Sequence, residues 1–159
     1  MAVFSWLNEQ RRGRIMRYAP LVIWIAVILG LGFGEASMSE TSRFIRPLLK
    51  FLFPDSPEST LAFYHGLIRK AAHVTEYAVL AFLAVRAFTA SSVPILRRRP
   101  FLLAIALVAL VAASDEFHQS FELSRTGSPA DVLFDVSGGL AVLVGYGLLM
   151  RWKRGNETR

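Results

Sequence analysis

Residues 18–34 read YAPLVIWIAVILGLGFG, a run with no charged side chain. At about 1.5 Å of rise per residue, a helix of this length just crosses the ~30 Å of hydrocarbon in a bilayer. Arg11, Arg12, Arg14 and Arg17 stand before it, and the small residues Gly34 and Ala36 stand after it. Basic stretch, apolar run and small residues together also make the pattern of a secretory signal with a cleavage site. Three further apolar segments follow at 69–88, 101–120 and 130–150, and a retained first helix fits the whole chain better. The pattern predicts an all-α membrane protein, a four-transmembrane-helix bundle forming one domain over residues 1–159.

Composition supports a membrane solvent. Of 159 residues, 53% are hydrophobic, and the mean hydropathy of +0.42 exceeds what a soluble domain of this size needs to fill its core. The length leaves no room for a separate soluble catalytic domain, so function sits on the spans or their connections. The net charge of +6 falls in short clusters beside apolar runs rather than along one polar face, which argues against nucleic acid as a partner. With no cysteine, disulfides, thiolate metal sites and a cysteine nucleophile are excluded. No glycine-rich turn precedes a lysine at the spacing of a nucleotide-binding loop.

The basic clusters set an expected orientation. Arg11 to Arg17, Arg97 to Arg99, and Arg151, Lys153, Arg154 and Arg159 all fall on one side of a four-span protein, which predicts N-terminus and C-terminus inside. The outer loop over 35–65 is more than a linker. Phe44, Ile45, Leu48, Phe51 and Leu52 recur at helical spacing while Arg43, Arg46 and Lys50 fall elsewhere, which predicts an amphipathic helix on the outer membrane surface, between the first and second spans, kinked or interrupted at Pro47. Ser56, Pro57 and Glu58 then carry an N-cap, a first-turn proline and a favourable acid, so the second span's helix is expected to begin before the membrane.

Three spans carry polar stripes. Arg69, His73, Glu76 and Leu80 fall within about 60° of one another at helical spacing, with Tyr77 beside them. In the third span Asp115, Gln119 and Glu122 share a stripe, with His118 on its flank and Glu116 turned about 100° away. Asp131, Asp135 and Gly138 share a face of the fourth. In the expected topology all three stripes lie at one depth in the outer half. Placing such groups against lipid costs about 2.5–3.5 kcal/mol each near the bilayer centre, so they are expected to face one another. Gly138 and Gly145 are expected to permit close helix approach. Asp131 after Ser128, Pro129 and Ala130 also fits a helix start.

The segments IRKAAHVTEY, SDEFHQSF and SRTGSPADVLFDVSGGL, in this order on successive spans, resemble the VanZ-like family, named for a protein associated with teicoplanin resistance. The resemblance rests on Lys70, His73 and Tyr77, on Asp115, Glu116 and Gln119, and on Arg125, Gly127, Asp131, Asp135 and Gly139. It covers roughly 69–145. Leu123 and Ser124 stand where family members often have Pro-Gly before the arginine. The resemblance implies a multi-pass protein of the bacterial cytoplasmic membrane, linked in some members to glycopeptide susceptibility and without an agreed biochemical activity.

With that context, the polar cluster reads as a site for an anionic, lipid-linked envelope component. Arg69, Lys70 and Arg125 are the expected phosphate partners, arginine through its planar fork. His73 and Glu76 are the expected proton-transfer pair, and Asp115 and Asp135 the groups that orient the histidine or hold a divalent cation. Tyr77, Glu116, Gln119 and Asp131 complete the ligand-binding set. Arg125 pairing with Glu122 in a wet loop is the plainer alternative. Two rival functions stay open: a non-catalytic accessory protein for envelope enzymes, and a proton- or cation-coupled transporter, which four short helices would need a homo-oligomer to build.

Overall fold

Proline marks where three of the helices begin. Its fixed φ suits the first helical turn, where its missing N–H leaves no bond unmade. In a computed structural model that describes residues 2–32, 38–121 and 129–157, six helices follow one another: α1 (Ala2–Gly32), α2 (Met38–Leu52), α3 (Glu58–Thr89), α4 (Pro94–Arg98), α5 (Pro100–Gln119) and α6 (Pro129–Glu157). Pro94, Pro100 and Pro129 each open a helix, and Pro57 immediately precedes α3. No strand occurs among the described residues. Helices α1, α3, α5 and α6 are long and apolar enough to cross a membrane.

The helices outrun the apolar segments that announce them. Helix α3 starts at Glu58, well before its apolar run, as Pro57 and Glu58 led one to expect, and α1 and α6 continue through their basic ends. A helix that satisfies its own backbone has no reason to stop at the membrane surface. Ser56 does not cap α3; Pro57 is the N-cap residue and makes no side-chain capping bond. Nor does Pro47 interrupt α2, which runs through it unbroken from Met38 to Leu52. The short helix α4 carries Arg97 and Arg98 in a link that the sequence leaves irregular.

Contacts fix the relative directions. Helices α3 and α6 are parallel neighbours, since Lys70 meets Asp131, His73 meets Asp135, and Phe82 meets Tyr146 edge-on. Helix α5 runs against both. Tyr77 reaches Asp115, while Gly139 faces Val108 and Gly147 faces Phe101. Helix α1 runs against α3, tied by Tyr18 Oη to Ser91 Oγ at 2.6 Å and by Trp24 Nε1 donating to the Glu76 carbonyl at 2.9 Å. The core lies where α3 meets α5, around Leu80, Ala84, Val85, Ala104 and Val108, all fully buried. Alanines at that contact let the helix backbones approach.

Apolar side chains are exposed around the outside of the bundle, Val22, Ile23, Leu110, Leu133 and Leu148 among them. On a soluble surface so much apolar area would drive association, whereas hydrocarbon covers it at no cost. Helix α2 packs on the start of α3 through buried Leu49 and Leu61, and Arg46 and Lys50 both reach Glu58, at 2.6 and 2.9 Å. It leaves Phe44, Leu48, Phe51 and Leu52 uncovered. Directions and packing thus bring the Arg14, Arg17, Arg97 to Arg99 and Arg151 to Arg154 segments to one end of the bundle, and α2 with the start of α6 to the other.

Candidate functional site

Helix α3 repeats at one-turn intervals along a single face: His65, Arg69 and His73 form one row, and Ala62, Gly66 and Lys70 form the row beside it. Two small residues in the second row leave space. A Cβ placed at Gly66 would meet nothing within 4 Å. Opposite stands the first part of α6, with Asp131, Phe134 and Asp135, and α5 adds Glu116. Together these groups line a cavity of about 400 Å³ between α3 and α6.

Its walls are chemically unlike. On the α3 side are the two permanent cations Arg69 and Lys70 and the imidazoles of His65 and His73; on the α5–α6 side are the carboxyls of Glu116, Asp131 and Asp135. The walls touch loosely. Lys70 Nζ lies 3.7 Å from Asp131 Oδ1, with the lysine more than half exposed, so this pair contributes about 0–1 kcal/mol. The same ammonium sits 4.8 Å from the centroid of the Phe134 ring, a cation–π contact. His73 Nδ1 is 3.9 Å from Asp135 Oδ1, beyond hydrogen-bond range. Asp135 is only 2% exposed, and its Oδ2 finds no hydrogen-bond partner among the described residues.

Behind the cavity lies a second, drier layer. Tyr77 is fully buried and donates its hydroxyl to Asp115 Oδ2 at 3.3 Å, joining α3 to α5. Asp115 therefore holds the Tyr77 hydroxyl. Asp135 is the carboxylate beside the histidine. Glu116, placed by helical spacing on a different face from Asp115, is buried and faces the cavity.

The other expected residues distribute as follows. The backbone carbonyl of Glu76 receives Trp24 of α1, and Glu76 is not one of the cavity-lining groups. His118 hydrogen-bonds through Nδ1 with its own helix, at the Ser114 carbonyl, and is exposed. Gln119 is the last residue of α5, and Glu122, Arg125, Gly127 and Ser128 lie outside the described residues. Gly138 and Gly139 do meet neighbouring helices, at Val74 and Val108, whereas Gly145 faces open space and permits no close approach. Among the described residues no three histidine, aspartate or glutamate side chains are grouped to hold a metal ion, so the divalent cation considered from the sequence finds no ready ligand set there. His65 and Phe134 are cavity residues that the sequence reading passed over. The four-residue spacing of His65, Arg69 and His73 was the available signal.

A protein-family model described as VanZ/LLP1 matches residues 10–151, well beyond the motifs on the last three spans and including the first helix. No curated protein and no solved structure matches the chain.

Proposed function

The chain belongs to the VanZ/LLP1 family, and from that premise we propose that its cavity between α3 and α6 recognises the phosphate-bearing headgroup of a lipid-linked cell-envelope component in the bacterial inner membrane, and thereby affects teicoplanin susceptibility. The observation that carries this reading is the divided cavity, a basic wall of Arg69, Lys70, His65 and His73 set against Glu116, Asp131 and Asp135. Arg69 supplies the planar fork and Lys70 the point charge that a phosphate takes. His73, backed by Asp135, is the group placed to exchange a proton with the bound headgroup, and its long contact is the kind that tightens when ligand binds.

The reading places both termini inside. Gathering of the basic segments at one end of the bundle supports this, because such clusters are retained in the cytoplasm. The cavity then opens in the outer half, and α2 lies in the plane of the outer surface with Phe44, Leu48, Phe51 and Leu52 turned into lipid. Reporter fusions after Arg97 and after Trp152 should signal cytoplasm, and one after Pro54 the outside. An outside signal at Arg97 would move the cavity to the inner leaflet and end the proposal of an outer-leaflet substrate.

Transport is the weaker alternative, since below Tyr77 the helix contacts are filled by buried Leu80, Ala81, Ala84 and Val85, with no buried charged side chain among the described residues there. A non-catalytic accessory role draws support from the two ion pairs across the cavity, which a purely structural network would also contain. Filling the cavity separates these readings. Gly66→Leu adds bulk where a Cβ meets nothing and leaves every ion pair in place. At equal protein level it should abolish the susceptibility phenotype and the phosphate-bearing lipid retained on purification, as should the double change Arg69→Gln with Lys70→Gln. Full activity in Gly66→Leu would show that nothing needs to enter the cavity.

A further inference from the structure

At the other end of the bundle a second groove, of about 680 Å³, runs along α6. Leu102 and Ile105 of α5 face Leu140 and Val144 of α6 across it, and Arg151 and Arg154 stand at its end. From Leu140 to Arg154 the helix rises about 20 Å, which is the order of length of an extended acyl chain in one leaflet. Polarity is graded along that length. The walls are aliphatic toward the middle of the bundle, aromatic at Phe101 and Tyr146, and cationic at the end where α6 leaves the apolar region. Arg154 Nε bonds back to the Met150 carbonyl at 3.5 Å, which keeps its guanidinium close to the helix and beside the groove.

We propose that this groove binds one anionic phospholipid of the surrounding bilayer, with an acyl chain along α5 and α6 and the phosphate between Arg151 and Arg154. Charge complementarity selects the occupant. A purely apolar groove would take any lipid tail, whereas two arginines one turn apart on a helix form a site for an anionic headgroup. Gly147 keeps the groove open: a Cβ there would touch the Phe101 ring at 3.6 and 3.8 Å, ordinary contact, so a larger side chain fits locally and fills the space beyond. This site stands apart from the cavity near His73 and does not depend on its function.

The test is native mass spectrometry of the full chain released from bilayers that contain equal phosphatidylglycerol and phosphatidylethanolamine. The wild-type protein should retain phosphatidylglycerol enriched on the order of fivefold or more over the bulk ratio, the scale set by a single basic residue near an anionic surface. Arg151→Gln with Arg154→Gln should return the ratio to that of the bulk. Gly147→Leu should lose the bound lipid while keeping both arginines, which covers the case in which the double variant does not accumulate. Arg98→Gln with Arg99→Gln removes equal charge at the same end but outside the groove, and should leave the enrichment intact. A bulk ratio in the wild-type protein, an equal loss in the Arg98 and Arg99 variant, or unchanged enrichment in Gly147→Leu would each overturn the proposal.

Discussion

Replacing Gly138 by alanine should lower the stability of the bundle by about 1–3 kcal/mol, and replacing it by leucine should part α3 from α6. A Cβ at this position would lie 2.6 Å from the carbonyl oxygen of Val74 and 2.8 Å from its Cγ1. The methyl group can rotate away. The carbonyl belongs to the α3 backbone and can retreat only with the helix. Gly145, one heptad further along α6, makes the opposite prediction, because a Cβ there meets nothing within 4 Å. Gly145→Ala removes only the entropic penalty of glycine in a helix and should stabilise by up to about 1 kcal/mol. Thermal unfolding of the two alanine variants in the same detergent checks the opposed signs. The Gly138 change should also reach the cavity, since Val74 follows His73 and Gly138 is one turn beyond Asp135, so parting the helices lengthens an approach that is already 3.9 Å. Equal responses at the two glycines would mean that α3 and α6 do not meet here.

These two glycines mark where sequence reading ends. Same residue type, same helix and helical spacing made them equivalent candidates for close approach; only the identity of the neighbour distinguishes them. The four spans were legible because hydrocarbon thickness acts on sequence as a length filter, and α1, α3, α5 and α6 each contain an apolar run that passes it. The helix ends were legible only in part: Pro57 and Glu58 marked the early start of α3, but charged residues are tolerated on a helix beyond the membrane surface, so the apolar runs set no limit for α1 and α6. The polar stripe of the second span was read only from residue 69 onward, which left out His65 although its helix was expected to begin earlier. Helical periodicity located the polar faces well. It put Glu116 on a different face from Asp115, and those faces turn out to serve different ends, one toward the cavity and one toward Tyr77. The parallel pairing of α3 with α6 was beyond reach, since amphipathic stripes tell which faces are inward but not which helices adjoin. That adjacency brings Asp135 to within 3.9 Å of His73.

Replacing Asp135 by leucine or asparagine should raise the thermal stability of the protein while removing its function. The carboxyl is 2% exposed, its Oδ2 is without a hydrogen-bond partner among the described residues, and its Oδ1 lies 3.9 Å from the nearest histidine nitrogen. Burying a carboxyl at membrane depth costs about 2.5–3.5 kcal/mol even on the more lenient scale, and a contact of that length returns only a small part of it. Asparagine has nearly the same volume and no charge to bury, so that variant should gain about 1 kcal/mol or more, while leucine removes every polar atom but is larger and gains less. A side chain held at a loss is the mark of a site shaped for a ligand. Tyr77→Phe provides the contrast. The Tyr77 hydroxyl donates to Asp115 at 3.3 Å in a fully buried position, so its removal should cost about 1–3 kcal/mol by depriving a buried carboxylate of a donor, and should leave the phenotype in place at equal protein level. Unfolding temperatures and teicoplanin susceptibility measured on the same three variants therefore separate the two layers of polar residues. If Asp135→Asn were destabilised like Tyr77→Phe, the aspartate would be part of the scaffold, His73 would lose its partner in chemistry, and the proton-transfer role assigned to that pair would have to be abandoned.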